Sequence, residues 1–285
     1  MKNLLGIVIL FLASCLWAAC ITPKQQKQQE EQKVNPCIQN TKLTGGVTFT
    51  ANSGGNRPLS GSPYGYEMWT QGGNNNQFIW FGPDQGGGAA FRAEWNNPDD
   101  FLGRIGFYWG NGGKYTEYKN MYADFNYTRS GRGTAGDYSY IGIYGWARNP
   151  AAKQDEEKLI EYYIVEDWFG NKWQEDTTPI TTGTTKGTVL GSFIIDDAYY
   201  KVVKNVRNNQ PSIDGLKTFT QYFSIRQTPR QCGTISITEH FKQWERMGLP
   251  LGNMYEAKFL VEAGGGAGWL EFTYLKLTQE NSPRK

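Results

Sequence analysis

Two glutamates stand in the middle of strand-like runs, where a charged side chain is costly unless it faces water, a partner or a substrate. Glu161 lies in the apolar run from Leu159 to Val165, and Glu262 lies in the run from Ala257 to Ala263. Strands send alternate residues to opposite faces, so each glutamate is expected to share a face with every second neighbour. Two carboxyl groups that converge on one cleft can perform acid and nucleophile chemistry on a glycosidic bond. The alternation is also compatible with two unrelated, solvent-facing glutamates.

The elements that must position these carboxyl groups are mainly strands. Strand-like runs recur from Val47 to Leu277, separated by Gly- and Asn-rich turns. With 35 glycines among 285 residues, these short alternating segments predict one all-β domain rather than a βαβ fold. One stretch, Thr238–Gly248, has helical spacing, with Phe241 and Trp244 on its apolar face and Gly248 placed to end it. The ten Trp and seventeen Tyr suit stacking against sugar rings as well as burial in a core.

Several other kinds of chemistry find no support in the sequence. His240 is the only histidine and lies on the predicted helix, where it is expected to be packed or capping, so a Ser-His-Asp site is not expected. No His/Cys cluster has metal-ligand spacing, and we expect neither a metal nor another cofactor. Gly86–Gly88 and Gly264–Gly266 lack the context of a phosphate loop and are interpreted as turns. The formal charge of +2 with scattered basic residues gives no basis for a nucleic-acid partner.

The N-terminal region has the pattern of an export signal. Lys2 precedes an uncharged stretch from Leu4 to Ile21. Cys15 lies at a position typical of a bacterial lipoprotein cleavage site, Cys20 is an alternative, and an uncleaved anchor remains a third interpretation. We therefore expect an export signal over residues 1–20, a polar tether over 21–43, a catalytic domain over 44–279 and a tail over 280–285. All three interpretations place the protein outside the cytoplasmic membrane.

The cysteine count leaves the pairing open. If Cys20 carries lipid, Cys37 and Cys232 remain as an even pair that could form a disulfide in an oxidising compartment. If Cys15 is the acylated residue, three cysteines remain and one of them is free.

Five ordered motifs carry a resemblance to a known family. They are the Tyr-Gly-Trp of Tyr144–Trp146, the run around Glu161, the Pro-Ser-Ile-Asp-Gly of Pro211–Gly215, the run Phe219–Gln227 and the segment His240–Trp244. In this order the set resembles the glycoside hydrolase family 11 endo-β-1,4-xylanases, from roughly Gly46 to Thr278. The resemblance implies a β-jelly roll of two packed, strongly curved antiparallel sheets with one α-helix, acting on xylan and xylooligosaccharides. We expect a monomer.

The resemblance also implies roles for individual residues. Glu161 matches the nucleophile and Glu262 the acid/base of a retaining mechanism. Asn97 matches the position that contacts the acid/base, and an amide there predicts a near-neutral pH optimum. The matched substrate-binding residues are Trp69, Tyr144, Trp146, Tyr163, Arg207, Gln221 and the thumb-tip residues Pro211, Ser212 and Ile213.

Two of the departures of this chain from the family pattern lie next to the matched glutamates. An eight-residue insertion, Ala151–Lys158, precedes the nucleophile run, and we expect it to extend a loop at the cleft rim. After Glu262 the sequence continues as Ala263 and three glycines, which leaves Glu271 as a remote alternative acid/base. Two other functions stay open: a jelly-roll endoglucanase acting on cellulose, and a non-catalytic carbohydrate-binding domain.

Overall fold

The alternation of apolar residues builds strands along almost the whole described chain. The computed structural model describes residues 34–54, 57–132, 138–169 and 187–284. Strand β4 illustrates the rule, because Phe91, Ala93 and Trp95 point into the core while their neighbours are partly exposed. The strands are β1 Val47–Phe49, β2 Gly65–Gly72, β3 Gln77–Trp80, β4 Phe91–Asn96, β5 Pro98–Tyr108, β6 Asn120–Arg132, β7 Tyr138–Arg148, β8 Leu159–Asp167, β9 Thr188–Ile195, β10 Ala198–Ser212, β11 Gly215–Arg226, β12 Cys232–Ser236, β13 Asn253–Met254, β14 Glu256–Gly264 and β15 Ala267–Glu280.

These strands form two sheets. The six-stranded sheet has the order β1-β3-β4-β15-β6-β12, and the nine-stranded sheet has the order β2-β5-β14-β7-β8-β11-β10-β9 with β13 paired to β7. The last two strands, β14 and β15, therefore each fill a gap in the middle of one sheet. The prediction of two packed sheets with one helix is confirmed. The strand pairs are antiparallel, as expected, with one exception: β8 and β11 run parallel, with Glu161 opposite Gln221.

The hydrophobic core lies between the sheets and is rich in aromatic rings. Phe78 and Phe91 stack with centroids 4.7 Å apart, and Phe272 of one sheet meets Phe259 of the other at 5.0 Å. On β14, Phe259 and Val261 belong to this core, whereas Leu260 belongs to a second apolar cluster on the opposite face. Both faces of β14 are thus covered, which explains why every residue of the strand is buried.

The predicted helix is present as α1, Ile237–Arg246. Ile237, Phe241 and Trp244 are fully buried on one face, and Phe241 packs edge-on against Tyr162 of β8 at 5.1 Å. His240 is also fully buried, 4.6 Å from the ring of Tyr200, and burial lowers the pKa of its imidazole to about 3. The prediction that His240 is a packed residue is confirmed. The helix thus packs against β8, the strand that carries Glu161, from the core side.

Both ends of the folded unit differ from the expected boundaries. The compact unit begins at Asn35, so residues 35–43, expected in the tether, belong to it. Cys37 and Cys232 form a disulfide with Cα atoms 5.1 Å apart. At the other end, the expected tail is held by Arg284, whose guanidinium binds both carboxylate oxygens of Asp124 at 2.7 and 2.9 Å. The predicted signal, with Cys15 and Cys20, lies outside the described residues, and within them no helix is long and apolar enough to cross a membrane.

Candidate active site

A cleft of about 420 Å³ lies on the face of the nine-stranded sheet that is turned away from the core. It is lined by side chains that alternate out of strands β2, β5, β14, β7, β8, β11 and β10. With one exception, Asn97, the structure brings the predicted site residues of the folded unit together here. These are Trp69, Tyr144, Trp146, Glu161, Tyr163, Arg207, Pro211, Ser212, Ile213, Gln221 and Glu262.

Glu161 is buried and held at both oxygens. The Tyr144 hydroxyl donates to Oε1 at 2.7 Å, and the Gln221 amide donates to Oε2 at 2.6 Å. Burial raises the pKa of Glu161 above its ordinary value, while those two hydrogen bonds and the charge of Arg207 act in the opposite direction. The donors keep the carboxylate oriented and favour its ionised form, as a nucleophile requires.

The orientation of Gln221 is itself fixed by a neighbour. Asn205 on β10 donates from its side-chain amide to Gln221 Oε1 at 2.8 Å. With its oxygen engaged there, Gln221 must present its NH₂ group to Glu161. Asn205 therefore contributes to the nucleophile site although it does not line the cleft.

Glu262 faces the same cleft from the other side of β7, paired across from Tyr140. Only 6% of this residue is exposed, and its Oε2 has no hydrogen-bond partner among the described residues. Burial, followed by the nearby carboxylates of Asp100 and Glu161, raises the pKa of Glu262 well above its ordinary value. A carboxylic acid in this setting retains its proton at a pH where an exposed glutamate has lost it.

The side chain beside Glu262 is that of Asp100, and Asn97, which the resemblance places there, does not occupy that position. Asn97 sits in the β4–β5 turn with φ 47°, exposed, and its side chain donates to Asn96 at 3.3 Å. Asp100 lines the cleft from β5, where Leu102 is the register partner of Glu262. Burial raises the pKa of Asp100 to about 6, and Glu161 adds to this while a hydrogen bond from Tyr138 opposes it.

A hairpin of β10 and β11 forms the thumb over the cleft. Its tip, Ser212–Gly215, turns tightly, with the Ser212 hydroxyl bonded to the Gly215 carbonyl at 2.6 Å and Gly215 at φ 80°. Asp214 at this tip pairs with Arg148 of β7 at 2.6 Å, and Arg148 in turn stacks on Tyr255 at 4.9 Å. The thumb therefore contacts the cleft wall at its tip as well as at its base.

The insertion does not extend the rim of the cleft. A short 3₁₀ turn, Asp155–Glu157, packs behind the base of the thumb, where Glu157 pairs with Lys204 at 2.7 Å and the Thr220 hydroxyl donates to the Glu156 carbonyl at 2.9 Å. Lys204 and Thr220 are the sequence neighbours of Asn205 and Gln221, whose side chains meet on the cleft side of the sheet, so Lys204 and Thr220 face the opposite side. The expectation of a rim loop is wrong.

Glu271, the remote alternative to Glu262, is not in the cleft. It pairs with Arg92 at 2.7 Å, on strands β15 and β4 of the six-stranded sheet. Its distance from Glu161 in the fold removes it as an acid/base candidate.

An all-β double sheet with two buried carboxyl groups facing each other across an aromatic cleft is the architecture of a glycoside hydrolase. The family model described as "Glycosyl hydrolases family 11" matches residues 62–273. The chain belongs to this family.

Relatives with known names agree with this membership. Endo-1,4-beta-xylanase C of Fibrobacter succinogenes is 43% identical over 79% of this chain and 33% of its own length. Endo-1,4-beta-xylanase S20 of Neocallimastix patriciarum is 41% identical over 86% of this chain and 66% of its own length. The chain thus spans between a third and about two thirds of these relatives. A crystal structure of wild-type ENZbleach xylanase superposes with a TM-score of 0.82 at 60% identity, covering 88% of this chain and 94% of that one.

Proposed function

We propose that this protein is a retaining endo-1,4-β-xylanase, with Glu161 as nucleophile and Glu262 as acid/base. The observation that carries the proposal is the contrast between the two carboxyl groups: Glu161 is held by two donors, whereas Glu262 has an unbonded oxygen and a strongly raised pKa. Environments that push two carboxyl pKa values apart assign the acid and the nucleophile. The names and identities of the relatives support xylan as substrate.

In the first step, an oxygen of Glu161 attacks the anomeric carbon while Glu262 gives its proton to the departing glycosidic oxygen. The carbon–oxygen bond to the leaving chain breaks, and an ester between the sugar and Glu161 forms. In the second step, Glu262 takes a proton from water, the resulting hydroxide attacks the same carbon, and the ester bond breaks to restore Glu161. Inversion happens twice, so the anomeric configuration is retained.

The experiment that tests this is substitution of each carboxyl group. Glu161→Gln and Glu262→Gln are each expected to lower reducing-sugar release from xylan by at least about a thousandfold, because an amide neither attacks nor donates a proton. With an activated aryl β-xylobioside, Glu262→Gln should still accumulate a glycosyl ester on Glu161, detectable by peptide mass spectrometry. Glu271→Gln is the control and should keep full activity.

The outcomes separate the rival functions. Release of sugar from carboxymethylcellulose but not xylan would identify an endoglucanase. Binding of xylan with no release would identify a carbohydrate-binding domain. A label on another carboxylate would overturn the assignment of Glu161.

The same proposal includes export from the cytoplasm, anchored through lipid on Cys15 or, alternatively, Cys20. The Cys37–Cys232 disulfide supports an oxidising location. Intact mass of the mature protein after expression in a bacterial host decides among the three N-terminal forms, since acylation at Cys15, acylation at Cys20 and an uncleaved anchor leave different masses.

A further inference from the structure

The cleft contains a cluster of four charged side chains that the proposed reaction does not use. We call Glu67, Arg104, Glu256 and Lys258 the charged cluster. Arg104 is 5% exposed and lines the cleft, while Glu256 and Lys258 are fully buried. The two positive and two negative groups balance, so the cluster adds no net charge to the cleft.

The cluster holds the guanidinium of Arg104 in one orientation. Its Nε donates to Glu67 at 3.0 Å, and its Nη1 lies 3.1 Å from a carboxylate oxygen of Glu256. Lys258 binds the other oxygen of Glu256 at 2.7 Å. Glu67, Arg104 and Lys258 come from the neighbouring strands β2, β5 and β14. A planar group held from two sides is well suited to stacking on an aromatic face.

That aromatic face is Tyr144. The centre of the Arg104 guanidinium lies 4.5 Å from the centroid of the ring. The ring edge of Tyr144 also meets Tyr163 at 4.9 Å and 72°, and Trp146 donates to its hydroxyl. The Tyr144 hydroxyl oxygen accepts the hydrogen bond from Trp146, and its proton is donated to Glu161 Oε1.

We propose that Arg104 is a positioning residue for the nucleophile: stacked on the Tyr144 ring, it fixes the hydroxyl that donates to Glu161. The inference rests on the proposed function of Glu161. Two physical effects act together. The stacked cation restricts rotation and tilt of the ring, and its positive charge opposes the effect of burial on the pKa of Tyr144, which makes the hydroxyl a stronger donor.

A structural role alone is the competing explanation, since Arg104 also ties three strands together. The pH at which Glu161 takes up a proton distinguishes a positioning role from a purely structural role, because a purely structural role of Arg104 leaves that pH unchanged. The groups that act on Glu161 from the surrounding strands are Tyr144, Tyr163, Gln221, Arg207, Asp100 and Glu262. Only Tyr144 among them is stacked on Arg104.

The experiment compares Arg104→Met and Arg104→Lys with wild type on an aryl β-xylobioside. Loss of the stack weakens the Tyr144 donor, which raises the pKa of Glu161, so the acid limb of kcat/KM is expected to move to higher pH. We expect kcat to fall about tenfold in Arg104→Met, with KM little changed and an intermediate effect in Arg104→Lys. Arg284→Met is the matched control, because Arg284 also stacks on a tyrosine, Tyr122 at 4.3 Å, and pairs with Asp124 outside the cleft. It should leave the acid limb in place.

A double-mutant cycle completes the test. In a Tyr144→Phe background, Arg104→Met is expected to lower kcat by less than about twofold, because the hydroxyl that it positions is already absent. An equal loss with and without that hydroxyl, or an unmoved acid limb in folded Arg104→Lys, would overturn the inference. NMR titration of the Glu161 carboxyl in wild type and Arg104→Lys gives the same answer without turnover, so an inactive wild type would refute only the proposed function.

Discussion

Asp100 alters the protonation chemistry expected of the cleft. With an amide beside Glu262, the sequence predicts a near-neutral optimum. The negative charge of an ionised Asp100 raises the pKa of Glu262 and makes it a weaker acid. When Asp100 is protonated that charge is absent, and Glu262 is a stronger acid. Because the pKa of Asp100 is about 6, activity is expected to rise as the pH falls through this value and to decline once Glu161 takes up a proton. The expected optimum therefore lies on the acid side.

Asp100→Asn is expected to move the alkaline limb of kcat/KM to higher pH. In the wild type that limb follows the loss of the Asp100 proton, at a pKa of about 6, whereas in the variant it follows only Glu262, whose pKa burial keeps raised. The measurement is kcat/KM on xylooligosaccharides from about pH 3 to about pH 9, a range that begins below the ordinary pKa of a glutamate and ends well above the pKa of Asp100. Asp99→Asn is the control, since Asp99 is the exposed neighbour on the opposite strand face. An alkaline limb that is the same in both variants would show that Asp100 does not act on Glu262.

Glu262 should also lower the stability of the fold at neutral pH. Its pKa is raised in the folded state, so the folded protein binds that proton more tightly than the unfolded chain does. The free energy of unfolding therefore falls as the pH rises above the unfolded value, about 4.3. Glu262→Gln is expected to raise Tm at pH 7 by a few degrees, about 2–4 °C for each 1 kcal/mol.

The same gain should disappear at about pH 3, below the unfolded pKa, where Glu262 is protonated in both states. Calorimetry at the two pH values checks this, alongside the loss of activity. A variant less stable than wild type at pH 7 would mean that the carboxyl group forms a favourable contact that the fold requires.

At the residue scale, alternation within single strands carries much of the information. It led to Glu161 and Glu262, because each is a carboxylate inside an apolar run. The same reasoning applied to β5 predicts Asp100 and Arg104 as cleft residues, because they share one strand face with Leu102. The resemblance predicts Asn97 at that position from the motif Trp95–Asn97, but Asn97 lies in a turn with positive φ, outside the strand that enters the cleft.

The elements were predicted better than their pairing. Local periodicity identified the helix almost to its ends and the strands in general. It contains no information on which strands become neighbours, and so it missed the parallel pair of β8 and β11 and the position of the insertion. Both depend on contacts between segments that are distant in the sequence, such as Glu157 with Lys204.

The insertion provides a test at this scale. Its ends already meet, since the Asn149 amide donates to the Lys158 carbonyl at 2.9 Å. Replacing Ala151–Glu157 by two glycines is therefore expected to preserve folding and to change hydrolysis of an aryl β-xylobioside by less than about threefold. Because the turn supports the base of the thumb, the product lengths released from long xylan should change.

Chromatography of the xylan digest measures that change, and Glu157→Gln, which removes only the ion pair to Lys204, shows how much of it the charge contributes. An unfolded replacement variant would show that the 3₁₀ turn is required for the strands to pair. An unaltered product pattern would show that the insertion does not influence how the thumb binds xylan.

For the whole molecule, the disulfide is the main covalent restraint in the described residues. It closes a loop with a sequence separation of 195 between the first residues of the unit and β12. Changing both Cys37 and Cys232 to serine is expected to lower the free energy of unfolding by about 2–5 kcal/mol. Activity at 25 °C should be unchanged, because β12 lies in the six-stranded sheet and the two cleft glutamates, Glu161 and Glu262, lie in the other.

Denaturant unfolding of the wild type and of the double serine variant measures this loss in the free energy of unfolding. Equal stability would mean that residues 35–39 are held without the covalent bond, through contacts such as those from Asn126 to the Cys37 and Gln39 carbonyls. The sequence left this pairing open, because the count of cysteines depends on which one is removed or acylated during export.

The position of β14 and β15 has a consequence for how the chain reaches its native state. Until these two strands are synthesised, β5 and β7 lack their shared neighbour, and so do β4 and β6. A partly made chain therefore exposes four unpaired strand edges, which are templates for pairing with other chains. Contacts this distant in sequence also make folding slow. The chain is thus most exposed to aggregation late in its synthesis, before the final two strands are available to cover those edges.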